Sequence, residues 1–115
     1  MNISSAELEV LQVLWEADRP MKIQEVCDKL VKWKYNTVGT MLIRMEEKGA
    51  IVSEKINRAN YYTAIIGKEE YTNQQTKSLV SKLYNGSAKD LAVSLFRSGD
   101  MTKEDIEEIR TMFDL

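Results

Sequence analysis

From residue 4 onward, apolar and polar positions alternate with a helical period, interrupted once by a stretch whose period is two. In "SSAELEVLQVLWEA", Ser4 followed by Glu7 is a capping-box pattern, and Glu9, Gln12 and Glu16 line one polar stripe. Leu8, Leu11, Leu14 and Trp15 are thereby directed to a core, and the helix ends over Asp18 to Pro20. A second helix, about residues 24 to 32, turns Val26 and Leu30 inward with the preceding Ile23, and leaves Glu25, Asp28 and Lys29 outside. A third runs from about Asn36 or Thr37 to Lys48. Val38, Met41, Leu42 and Met45 form its inward stripe, while Thr37, Thr40 and Arg44, flanked by Asn36 and Ile43, lie opposite. Gly49 supplies the left-handed stop.

Beyond Gly49, "AIVSEKI" and "NYYTAI" are short, rich in β-branched and aromatic residues, and separated by "NRA". They predict a hairpin. Three helices followed by a two-stranded ribbon is the order of a winged helix-turn-helix, assigned to residues 1–66. The fold class is mainly α with a small β-hairpin. Residues 67–115 then carry three more helical runs, about 69–84, 87–97 and 103–113, separated by "NGS" and "SGDMT". Their apolar faces hold Leu79, Val80, Leu83, Leu91, Leu95, Phe96, Ile106, Ile109 and Phe113. Short helices with so few internal partners predict a three-helix dimerisation region buried against a second copy.

Composition narrows the chemistry. The chain has 115 residues, no histidine and a single cysteine, Cys27. Histidine-based triads, a histidine general base and a thiolate–imidazole zinc cluster are therefore all excluded. The acidic residues fall mainly on helix faces or in first turns, where solvation and capping account for them. Neither an enzyme nor a metal site or cofactor is expected. No apolar run reaches bilayer length and the N-terminus lacks the pattern of a secretory signal, so the expected location is the cytoplasm without stable membrane association. Cys27 is expected to be a small buried or half-buried side chain.

Net charge is −2, but its distribution is uneven. Residues 29–63 hold seven basic against three acidic residues, a local +4; residues 64–115 hold seven against nine. The basic segment coincides with the third helix and the ribbon, which points to nucleic acid. A helix of about 12 residues, about 18 Å long, fits the major groove. Thr37 and Thr40 suit base edges or thymine methyls, Arg44 suits guanine, and Asn36 suits adenine or phosphate. Lys32, Lys34, Lys48 and Lys55 suit phosphate contacts, and Arg58 at the ribbon tip, beside Asn57 and Asn60, suits phosphate or the minor groove. The competing reading is a winged-helix protein-interaction module that never touches DNA, in keeping with the modest overall charge. Trp33 is expected to anchor the turn before the third helix; Gly39, inside that helix, has no evident reason.

At the level of whole motifs, the chain resembles the BlaI/MecI-type penicillinase-repressor family of bacterial winged-helix regulators. The matching pieces are "AELEVLQVLWE", "NTVGTMLIRMEEKGAIVSEK", "NRANYYTA", "KLYNGSAKDLAVSLF" and "MTKEDIEEIRTMF", which together span nearly all of residues 3–115. The resemblance implies a homodimeric transcriptional repressor that binds a dyad-symmetric operator in double-stranded DNA, with β-lactamase or resistance genes as targets. It also implies a membrane sensor whose signal leads to repressor cleavage in the dimerisation region. Family members are cut between an asparagine and a phenylalanine; the corresponding residues here are Ser94 and Leu95. The cysteine-rich C-terminal motif of copper-responsive relatives is missing, since the chain ends "RTMFDL".

Overall fold

A computed structural model describes the whole chain, Met1–Leu115, in the order α1 (Ser5–Ala17), β1 (Met21–Lys22), α2 (Ile23–Lys29), α3 (Tyr35–Glu47), β2 (Ile51–Ile56), β3 (Ala59–Ala64), α4 (Lys68–Leu83), α5 (Ala88–Arg97) and α6 (Lys103–Phe113). It divides into two compact units, Met1–Tyr71 and Thr72–Leu115.

In the first unit, the capping box at Ser4 forms as the sequence predicts. Glu7 N–H donates to Ser4 Oγ at 3.1 Å, and Ser4 N–H donates to Glu7 Oε1 at 2.9 Å. The inward stripe of α1 is rotated slightly from expectation: Val10, Leu11 and Leu14 are fully buried, whereas Leu8 and Trp15 are half-buried. Glu7 stands at the head of that stripe and is only 4% exposed. All four predicted inward residues of α3, Val38, Met41, Leu42 and Met45, are buried with Val26, Leu30, Ala50 and Ile51. Truncating one of them, such as Leu42→Ala, costs about 2–5 kcal/mol, because the neighbours collapse only partly into the cavity.

The sheet has three strands rather than the expected two, in the order β1-β3-β2, all antiparallel. Met21 and Lys22 pair with Tyr62 and Tyr61. This seats Met21, 2% exposed, in the core. The added strand covers one edge of the hairpin, which alone would be marginal. The turn is also tighter than the "NRA" separation suggests: Ile56 pairs with Ala59, leaving Asn57 and Arg58 as its two central residues. Trp33 packs against the core, as expected. The start of α4 belongs to this unit. Tyr71 is buried with its ring 5.9 Å from that of Trp15, whose Nε1–H donates to the Ile66 carbonyl at 2.9 Å.

The second unit consists of the rest of α4 with α5 and α6. Ser87 and Thr102 cap the last two helices, accepting from the N–H groups of Asp90 and Asp105, each at 3.1 Å or closer. No side chain of this unit reaches full burial. Leu79, Leu83, Leu95, Phe96, Ile109 and Phe113 are exposed, and Leu91 and Ile106 half-exposed.

Candidate nucleic-acid interface

Helix α3 runs 13 residues, about 20 Å, and its amphipathic pattern sets which side chains leave the core. Asn36, Thr37, Thr40 and Arg44 are all exposed, on the face opposite the buried stripe. At 100° per residue, Asn36, Thr40, Ile43 and Glu47 share the outermost line, with Thr37 and Arg44 one row to the side. Arg44 has no ion-pair partner. The Thr40 hydroxyl donates to the Asn36 carbonyl at 3.0 Å. Its oxygen lone pairs and its methyl are therefore what it offers outward.

The start of α3 differs from every other helix of more than one turn in this chain. Each of α1, α2, α4, α5 and α6 has an acidic residue in its first turn; α3 has none, and its N-cap is Lys34. The positive end of the helix dipole is left without internal compensation and with a lysine beside it, which favours an anion there.

The β2–β3 turn carries the second cluster. Asn57 and Arg58 both adopt positive φ, 50° and 71°, the arrangement of a two-residue primed turn whose twist matches the strands it joins. Asparagine tolerates this region; arginine does so at a cost. Arg58 is thus held at the tip, exposed, with exposed Lys55 and Asn60 paired directly behind it. The wing is fastened to α3 by a contact the sequence did not reveal. Ser53 donates its hydroxyl to the Glu46 carboxylate at 2.8 Å and its N–H to Glu46 Oε2 at 3.3 Å.

Two expected phosphate contacts are otherwise engaged. Lys48 Nζ donates to Glu7 Oε1 at 2.6 Å and to the Asn2 carbonyl at 2.7 Å. Lys48 thereby bridges the end of α3 to the start of α1 and is not a free surface cation. Burial raises the pKa of Glu7. Hydrogen bonds from Lys48 and Ser4 and the Lys48 charge more than offset this, so the carboxyl stays below its ordinary value and ionised. Lys32 pairs with Glu9 at 2.7 Å and stacks over the Trp33 ring, 4.7 Å from its centre. Lys34, Lys55 and Arg58 remain without an acidic partner.

Gly39 lies where α3 approaches α2: a Cβ there would stand 3.4 Å from Ile23 Cδ1. Cys27 is half-buried, and burial followed by the Asp28 charge pushes its thiol pKa up, so the reactive thiolate is disfavoured.

An exposed polar helix face beside a basic-tipped wing defines a winged-helix protein of the nucleic-acid-reading class. The family model described as "Penicillinase repressor" matches residues 3–114, and the chain belongs to that family. It is 32% identical over 110 residues to the penicillinase repressor of Bacillus licheniformis, covering 93% of this chain and 85% of that one. It is 27% identical over 112 residues to the methicillin resistance regulatory protein MecI of Staphylococcus aureus, covering 96% and 91%. Among solved structures it is similar to the DNA-binding domain of the repressor BlaI, at 38% identity and a TM-score of 0.54 over 61% of this chain and 88% of that one. The same identity and TM-score relate it to the monomeric form of Bacillus licheniformis BlaI in complex with the blaP half-operator, over 62% and 89%.

Proposed function

We propose that this protein is a cytoplasmic transcriptional repressor that binds a dyad-symmetric operator as a homodimer, each copy laying α3 in the major groove. The observation that carries this reading is the juxtaposition of Asn36, Thr37, Thr40 and Arg44 on the free face of α3 with Arg58 at the wing tip. Thr37, Thr40 and Arg44 address base edges; Lys34, Lys55, Arg58 and Asn60 hold phosphates and set the register. Similarity to a repressor solved on its half-operator supports this reading.

The homodimer is supported by the second unit, where Leu83 is 70% and Phe113 67% exposed and no side chain is fully buried. Three helices without a core gain one by isologous pairing, which also doubles the DNA contact. Sensor-triggered cleavage at Ser94–Leu95 would act by splitting that pairing. The two residues lie within α5, with Tyr84 and Ser94 hydroxyls 3.2 Å apart, so the helix must unwind before the bond is presented in extended form.

The test is selection of fragments of the source genome by the full-length chain, followed by titration at rising salt. A specific fragment whose affinity falls steeply with salt supports the proposal. Absence of DNA retention at low salt, together with a salt-insensitive complex with a protein, overturns it.

A further inference from the structure

The outward face of α3 is polar except at one place in its middle. Ile43 is 59% exposed, and it stands on the outermost line of the helix between Thr40 and Glu47. A β-branched apolar residue gains nothing there by itself: its helix propensity is below that of alanine, and its side chain stays in water. The four apolar residues that hold α3 to the core are fully accounted for by Val38, Met41, Leu42 and Met45. Ile43 belongs to neither the core nor the set of polar readers.

We propose that Ile43 is a specificity-determining residue that packs against the 5-methyl group of a thymine in each operator half-site. This rests on the reading of α3 as the element in the groove. Position on the helix identifies the occupant. Thr40, one turn toward the N-terminus on the same line, and Arg44, the next residue, are placed for base edges, and a side chain flanked by such contacts meets the groove floor rather than the phosphate rails. On that floor the one apolar feature that distinguishes one base pair from another is the thymine methyl. Isoleucine presents a branched hydrocarbon surface to it and offers no hydrogen bond to cytosine, adenine or guanine. Exclusion of cytosine at that position follows, because its N4 amino group would lose water without gaining a partner.

The experiment uses the full chain and the operator selected from the source genome, with each thymine replaced in turn by deoxyuridine. That change deletes the methyl and nothing else. For the wild-type protein one thymine per half-site is expected to be sensitive, with a loss of about fourfold when a single half-site is changed, the scale of one buried methyl group. Ile43→Ala is expected to weaken binding to the thymine operator and to bind thymine and uracil at that position alike; Ile43→Val is expected to keep part of the difference. Ile43 is exposed, so both variants should retain the wild-type melting temperature. Unchanged thymine-to-uracil discrimination in Ile43→Ala, with operator binding intact, overturns the assignment of Ile43 alone. Failure of the wild-type chain to select any operator overturns this inference and the DNA-reading role of α3 together.

Discussion

Lys48 Nζ lies 2.6 Å from Glu7 Oε1, joining the C-terminal cap of α3 to the first turn of α1 across 41 residues of sequence. Glu7 is buried, whereas the Lys48 side chain is one-third exposed and also holds the Asn2 carbonyl. Replacing Glu7 by Gln leaves a partly buried ammonium with a weaker acceptor. We expect a loss of about 1–3 kcal/mol, measured by urea unfolding. Lys48→Met should destabilise similarly and leave the salt dependence of DNA binding unchanged, whereas Lys55→Ala should lower its slope by about 1. An unchanged slope for Lys55 and a reduced one for Lys48 would exchange their roles.

The same bridge shapes the acid limb of stability. Because the folded-state pKa of Glu7 is depressed, its contribution is fully present above the ordinary carboxylate value of 4.5 and is lost as pH falls through the lowered value. Glu25 adds to this window: the hydrogen bond from Arg19, then that from the Lys22 backbone, bring it down to about 2. Melting temperature should therefore fall between pH 4.5 and 2, and Glu7→Gln should flatten that decline. An identical acid profile in the variant would exclude Glu7 as its source.

Ser53 and Glu46 set the wing against α3. Ser53→Ala should weaken operator binding while Arg58 is present and have little effect in an Arg58→Ala background, because the clamp matters only through what the wing tip touches. A double-mutant cycle on operator affinity reads this directly. Additive losses would mean that the clamp acts independently of the tip.

Arg58 occupies a turn position that favours glycine or asparagine, with φ of 71°. Arg58→Gly should raise stability by up to about 1 kcal/mol while weakening DNA binding at every sequence. A variant that gains neither stability nor loses affinity would remove the tip from the interface. This opposition also shows what was legible in the chain beforehand. The inward stripe of α3, the capping box at Ser4 and the hairpin could be read because each is a local pattern of spacing and residue type. The exposure of Asn36, Thr37, Thr40 and Arg44 followed by subtraction, since α3 has one buried face and the polar remainder must lie opposite. Strand β1 could not be read, because two residues carry no period and pair only through Tyr61 and Tyr62, some forty positions away. Lys48 looked like a surface cation for a related reason: its partner Glu7 sits on the apolar stripe of a different helix, and sequence spacing gives no sign of that meeting. Gly39, opaque in sequence, faces Ile23, although the 3.4 Å left for a Cβ leaves its choice over alanine unexplained by crowding.

If the outer face of α3 reads sequence, its arginine must discriminate between operator and other DNA. The most direct measurement compares wild type and Arg44→Ala on the genome-selected operator and on unrelated DNA at a single salt concentration. A loss of about 1–3 kcal/mol is expected on the operator and a much smaller change on unrelated DNA, so that specificity itself collapses. Equal affinity of the two proteins for the operator, or an equal loss on both DNAs, would contradict it.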